Sequence, residues 1–550
     1  MKTRGIPTAA LVVVASALAG GLVGARADKT QDIAHVNERL RQYTAALAAI
    51  EKEYAEPIDA AQTVYGSIDG LLRTLDPHSS FMSPQDYKRM REQQGGRYVG
   101  IGVTIGAING NITVTQLFEG SPAYRAGIRR NDVIARVGQP VEENGKKRIV
   151  WEETKGWATD EVVKRVRGDK GTTVEISIRR PGLDSLTDLT VERDQIKITT
   201  VRTAFMIAPG TGYVRLQDFS ETTDAELGEA LTRLKAAGMQ RLMLDLRDNP
   251  GGPLDQAIAV SSRFLKAGQM VVYTRGRVPG ADEDYRAVTR GGSADVPLVV
   301  MINRNSASAS EIVSGSMQDH DRAVLVGETT FGKALVQGVY NISDSAGVAL
   351  TTGRYFTPSG RMIQRPWDGA FDEYQTYGYR DQKADRTHDA AQLKYTDSGR
   401  KVYSGGGIEP DHFVAGPVEG FNPTRFSRML KETRGAFITF AERFTKDGDK
   451  RPAARSAAAY KVAPGWQVTD AMVAEFRDFV IAQKVRFDEA AFKADTAFIK
   501  AMIRFEVDAD LFGIEEARKN LSRVDPQVQT ALGFFEQAKQ LMAAKSTSGR

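Results

Sequence analysis

The chain has 550 residues, more than one ordinary hydrophobic core organises, so two or three domains are expected. Its 41% hydrophobic and 26% charged content is that of a folded protein, and a formal net charge of +5 without a basic block gives nucleic-acid binding no support. The absence of cysteine excludes disulfides, zinc–thiolate sites and a cysteine nucleophile.

Lys2 and Arg4 give the N-terminus a short positive start, followed by an apolar run from Ala9 to Val23 and by Ala25-Arg26-Ala27 before Asp28. This three-part layout predicts a secretory signal peptide over 1–27 and an exported protein of the periplasm or cell envelope. The alternative is an uncleaved membrane anchor, which the shortness of the run and its glycines disfavour.

Ile33, Val36, Leu40, Tyr43, Leu47 and Ile50 recur at three- and four-residue steps, and Val64, Ile68, Leu71 and Leu72 predict a second, shorter helix. The segment Leu75-Asp76-Pro77-His78-Ser79-Ser80-Phe81 is turn-rich, with His78 expected to serve the turn. From Tyr98 to about Arg180, short β-like runs broken by glycine predict a small α+β module. Its strands begin at Val99, Ile112, Asp132 and Val174. A short helix opens at Gly120-Ser121-Pro122-Ala123, and another runs through Glu161, Val162 and Val166. From Val191 to Val414 the chain reads as α/β. Leu242–Leu246 and Leu298–Ile302 are buried-strand runs, each leading through a turn into a helical pattern, and Ala323–Val326 is a third strand. After Phe421 the pattern is helical, with Phe437, Phe440 and Phe444 on one face, Met472, Phe476 and Val480 on another, and Leu532 paired with Phe535.

Asn305-Ser306-Ala307-Ser308-Ala309-Ser310-Glu311 joins a buried strand to a helix. A serine at such a junction projects its hydroxyl beyond the sheet beside the free N–H groups of the helix start, which supplies a nucleophile and an oxyanion donor together. The same residues also read as helix caps, with Ser306 or Ser310 in that role. None of the 5 histidines lies in a recognisable triad motif, and His320 falls at the far end of the helix. A desolvated lysine can replace histidine as the base. Lys333 is the candidate, and Gln337, an even number of positions on, shares its strand face. The turn Asp248-Asn249-Pro250-Gly251-Gly252 after the first buried strand offers further N–H groups, or is simply a tight β-α connection.

Together, LDPHSSF at Leu75, YVGIGV at Tyr98, GSPAYRAGIRRNDVI at Gly120, LDLRDNPGG at Leu244, NSASASEI at Asn305, VGETTFGKALVQ at Val326 and GGGIEPD at Gly405 resemble the C-terminal processing peptidases, or tail-specific proteases. The resemblance implies an α/β chain, α+β overall, with a crotonase/ClpP-like β-α protease core, an inserted PDZ domain and helical N- and C-terminal regions. The corresponding division is 28–95 helical, 96–185 PDZ, 186–415 protease core and 416–550 helical. It makes Ser308 the nucleophile, Lys333 the general base and Gln337 its support. Ala309 supplies one oxyanion N–H, and Gly251 or Gly252 the other. Tyr98, Val99, Gly100, Ile101 and Gly102 become the PDZ loop that holds a peptide carboxylate. Protein or peptide C-terminal tails are the implied substrates, and no cofactor or metal is called for. The stretch from Gly138 to Asp160 is longer than the family's usual compact turn, and the region after Phe421 lies outside the shared pattern, open to a homo-oligomer or an adaptor protein. A catalytically silent PDZ scaffold and a crotonase-like acyl-transfer or hydratase enzyme are the competing readings. The intact Ser308, Lys333 and Gln337 set disfavours the first, and the PDZ-like insertion and export signal disfavour the second.

Overall fold

The computed structural model describes residues 30–108, 110–118, 120–143, 146–180, 185–289, 295–343, 345–367, 374, 376–379, 388–416, 433–441, 444, 462–483 and 487–547. The expected signal peptide lies outside them. Among the described residues no helix is long and apolar enough to cross a membrane.

The chain divides into two compact units between Leu75 and Asp76. The first holds the two expected helices, Thr30–Glu53 and Ala60–Arg73. Asp59 caps the second by accepting the Ala61 and Gln62 N–H groups at 2.9 and 3.2 Å. The apolar stripe of the first helix stays open to solvent at Val36, Leu40, Tyr43 and Ile50.

In the second unit, a six-stranded sheet runs in the order Thr203–Ala208, Thr211–Arg215, Arg241–Asp245, Leu298–Ile302, Val324–Gly327, His412–Phe413, parallel after its first, antiparallel pair. The two buried-strand runs read in the sequence are its central strands. Side chains alternate between two covered faces. Leu242, Leu244, Leu298, Val300 and Ile302 pack under the helices Thr223–Ala236, Leu254–Ser262 and Ala309–Asp319. Met243, Val299 and Met301 face Val528, Ala531, Phe535 and Ala538 of the last two helices. The C-terminal helices therefore complete the second cover of the sheet. Farther out, Phe437, Phe440, Phe444, Met472, Phe476 and Val480 form one core, so the two predicted helix faces meet each other.

A second sheet of five strands contains Leu335–Asn341 and Gly347–Phe356, with Ser80–Met82 along the far side of the latter. The small β-rich module holds a six-stranded sheet in which, among the described residues, Val103–Ile108 pairs only with Asn111–Leu117 and so forms an edge. The long stretch noted after Gly138 is a β-hairpin of Val133–Glu143 and Lys146–Glu153. Its continuation folds back on the helix Thr159–Val166, where the Arg165 guanidinium lies 4.2 Å from the centre of the Trp157 ring.

Candidate active site

The strand Leu298–Ile302 delivers the chain to Ser308, the N-cap of the helix Ala309–Asp319. Ser308 has φ +52°, a conformation that costs an L-residue energy and persists only where the surroundings enforce it. The neighbours explain the enforcement. Ser306 Oγ donates to the Leu246 carbonyl at 2.8 Å and Ser310 Oγ to the Asn249 carbonyl at 3.0 Å. Both are fully buried, and both tie the serine turn to the NPGG turn. The expected capping role of Ser306 or Ser310 is thus corrected. Ser308 itself is the cap residue, and its partners are cross-links between turns.

Glu311 lies at the centre. Its buried carboxylate accepts the Ser308 N–H at 2.8 Å, the Gly332 N–H at 2.7 Å, the Lys333 N–H at 2.9 Å and the Thr330 hydroxyl. Burial pushes its pKa up to about 7, against the pull of those donors. Tyr355, on the strand Gly347–Phe356, directs its hydroxyl to the carbonyls of Ser308 and Lys333. The sequence reading missed both residues. Glu311 has capping-box spacing from Ser308, and the available signal was a carboxylate in the first turn of a helix whose next six residues are apolar or small.

Lys333 precedes the strand Leu335–Asn341, and its Nζ donates to Gln337 Oε1 at 2.9 Å. The irregularity between Val336 and Gln337 falls on the partner strand, where Thr352 has no opposite residue, so the even spacing of Lys333 and Gln337 still brings them to one side. Burial lowers the Lys333 pKa, opposed by the charges of Glu311 and Asp76. Among the described residues, Lys333 Nζ is bonded to Gln337 and not to Ser308 Oγ.

The NPGG turn packs directly on the serine. A Cβ on Gly251, which has φ +100°, would stand 2.8 Å from Ser308 Cβ. The Gly251 N–H is taken by Asn249 Oδ1 at 2.9 Å. Behind the turn, Arg247 grips Asp245 at 2.8 Å and reaches Asp525 and Gln527 of the C-terminal region, each at 2.8 Å. Burial alone would raise the Asp245 pKa, but Arg247 and Arg215 hold it well below the carboxylate range. His320 is placed elsewhere, bonded to Asp397 and to the Met270 carbonyl.

In the β-rich module, Tyr98, Val99 and Gly100 pair with Ile196, Gln195 and Asp194 in a two-stranded ladder. Ile101 and Gly102 link this ladder to the edge strand Val103–Ile108, their carbonyls accepting the Ala123 and Phe118 N–H groups at 2.9 and 3.0 Å. The Arg167 guanidinium lies 5.3 Å from the Tyr98 ring centre, and burial pushes the phenol's pKa up to about 12.

Residues 210–369 match the model of peptidase family S41, and residues 89–179 that of the PDZ domain. The chain is 33% identical over 347 residues to the carboxy-terminal-processing protease of Bartonella bacilliformis, covering 62% of this chain and 76% of the relative. It is 32% identical over 400 residues to the carboxy-terminal processing protease CtpA of Bacillus subtilis, covering 72% and 79%. A solved photosystem II D1 C-terminal processing protease aligns at 28% identity over 68% of this chain and 86% of that one, with a TM-score of 0.33. With a relative more than 30% identical covered over three quarters of its length, the chain belongs to the carboxy-terminal-processing proteases, serine-type peptidases of family S41 that carry a PDZ domain.

Proposed function

We propose that the protein is an exported endopeptidase that takes protein C-terminal tails in its PDZ domain and cleaves them with Ser308 as nucleophile, Lys333 as general base and Gln337 as the lysine's support. The observation that carries this reading is the shared hold of Glu311 and Tyr355 on the backbones of Ser308 and Lys333. A neutral Lys333 takes the Ser308 hydroxyl proton as the oxygen attacks the scissile carbonyl, then returns it to the leaving amine. Lys333 Nζ leaves Gln337 and turns to Ser308 Oγ when substrate is bound; catalytic hydrogen bonds commonly close only at that stage. The oxyanion pair is Ala309 and Gly252, because the Gly251 N–H is spent on Asn249. Gly251 serves by letting the backbone come against Ser308.

Tail binding adds a strand to the open edge Val103–Ile108, with the carboxylate at the Ile101–Gly102 link. The division into 28–95, 96–185, 186–415 and 416–550 follows the same reading. The exposed stripe Val36, Leu40, Tyr43 and Ile50 supports a homo-oligomer through the N-terminal helix. Incubating wild type and Ser308→Ala with candidate exported proteins, with fragments read by mass spectrometry, tests the reading. Tail-proximal cleavage by wild type alone is expected. Tail binding without cleavage by either would leave the silent-scaffold reading standing.

A further inference from the structure

The turn Asp76-Pro77-His78-Ser79 has no part in the reaction as proposed above, yet it is built into the site. Asp76 Oδ1 accepts the His78 and Ser79 N–H groups, both at 2.8 Å, and Oδ2 accepts Ser79 Oγ at 2.7 Å. Ser79 Oγ in turn accepts the N–H of Thr351 at 3.2 Å, and Thr351 is the residue opposite Gln337 in the sheet. The turn is thus fastened to the strand beside Gln337.

The His78 carbonyl, fixed in this way, accepts Gln337 Nε2 across 259 residues of sequence. An amide has one donor end and one acceptor end. With Nε2 committed to His78, Oε1 is the end that faces Lys333 Nζ. Without that carbonyl, the amide is free to turn its NH2 toward the lysine, where it cannot accept. The His78 ring is anchored by Tyr374 Oη and lies edge-on to Phe331, two residues before Lys333.

We infer that this turn is a positioning element of the reaction centre: the His78 carbonyl sets the direction of the Gln337 amide, and Asp76 both holds that carbonyl and lends Lys333 a fixed negative neighbour. Among the described residues, the charged and titratable groups around Lys333 are Glu311 from the helix, Asp76 and His78 from the turn, the hydroxyls of Tyr355 and Tyr374, and the Arg365 guanidinium on the Phe331 carbonyl. Asp76 stays ionised, since its hydrogen bonds from Ser79 and His78 outweigh burial and lower its pKa. His78 is neutral, pushed down to about 4 by burial and by the charge of Lys333. Burial raises the pKa of both tyrosines, which remain uncharged. Glu311 and Asp76 are therefore the anions that favour protonated Lys333.

The inference rests on Lys333 acting as the base, and its test is kcat/KM against pH. Asp76→Asn removes an anion, so Lys333 loses its proton more readily. The acid limb is expected to move to lower pH by roughly half a unit or more, with plateau kcat reduced severalfold. Asp76→Glu, which keeps the charge, restores the limb. Ser79→Ala keeps the charge and cuts the tie to Thr351, so kcat falls severalfold with the limb unmoved; this variant carries the test if Asp76→Asn does not fold. An unmoved limb in folded Asp76→Asn, or wild-type kcat in Ser79→Ala, overturns the inference when Lys333→Ala is inactive. An active Lys333→Ala overturns the general-base reading instead.

Discussion

Glu311 accepts the backbone N–H of Ser308 and of Lys333 through the same carboxylate oxygen, at 2.8 and 2.9 Å. Tyr355 meets the carbonyls of the same two residues from the other side. Two segments that are 25 positions apart in sequence numbering, Ser308 and Lys333, are thereby fixed in one frame by groups that take no part in the proposed bond chemistry.

Glu311→Gln is isosteric but replaces one acceptor oxygen with an NH2 that faces N–H donors. Each buried N–H left without an acceptor costs about 1–3 kcal/mol, so the urea midpoint falls. Misplacing the reacting pair by a fraction of an ångström to about 1 Å is expected to lower kcat roughly 100-fold, with KM little changed. A folded Glu311→Gln enzyme with wild-type kcat would show that the frame is not needed for the reaction.

The general base must be neutral to accept a proton. Burial lowers the Lys333 pKa from the ordinary 10.5, so kcat/KM rises as pH climbs through that lowered value and stays high on the alkaline side. Loss of the Glu311 anion as pH falls through about 7 removes a charge that favours protonated Lys333, so the acid limb is expected to be broader than a single titration. Lys333→Arg stays charged at every working pH and is expected to be inactive throughout. Measurable cleavage by that variant, rising with pH as in wild type, would place the base elsewhere.

Ser306 and Ser310 cross-link the serine turn to the NPGG turn, so their loss has consequences beyond helix capping. Each Ser→Ala change is expected to cost about 0.5–1.5 kcal/mol of stability and to lower kcat by loosening the oxyanion turn. Gly251→Ala is more severe. Its Cβ meets Ala307 O and Ser308 Cβ at 2.8 Å in a conformation L side chains avoid, so a folded but inactive protein is expected. Circular dichroism melts beside peptide cleavage rates check both. Full activity in Gly251→Ala would remove the close packing of that turn from the mechanism.

The sequence made local features legible and left their partners hidden. Leu242–Leu246 and Leu298–Ile302 are uninterrupted apolar runs, the mark of strands covered on both faces, and they are the central strands. Ser308 stood out as a small polar residue at the junction that follows. Glu311 did not, because its spacing from Ser308 is also that of an ordinary cap. Tyr355 and His78 act from 47 and 259 residues away from Ser308 and Gln337, and no local periodicity encodes a contact at such range. The C-terminal faces built on Phe437 and Phe476 were readable as amphipathic helices. That the last helices, at Val528 and Phe535, cover the protease sheet depends on the tertiary fold alone.

The edge strand Val103–Ile108 leads to the last prediction. Among the described residues it pairs on one side only, and an unpaired edge next to a backbone turn is the site at which an extended peptide adds as a further strand. Hydrogen bonds to a charged carboxylate contribute about 1.5–3 kcal/mol, so amidating a substrate's C-terminus is expected to weaken its binding to Ser308→Ala protein about tenfold or more. Val103, Ile105 and Trp157 beside the edge are apolar and half-buried, so tails ending in apolar residues bind more tightly than those ending in charged ones. Calorimetric titration of Ser308→Ala with free-acid, amidated, apolar-ended and charged-ended peptides measures both effects. The full chain is the proper sample, because the half-buried Arg130 of the module pairs with Glu506 and Asp510 of the C-terminal region, and excision would strand those carboxylates. Equal affinity for free-acid and amidated peptides would show that the Ile101–Gly102 link does not hold the carboxylate, whatever the cleavage chemistry does.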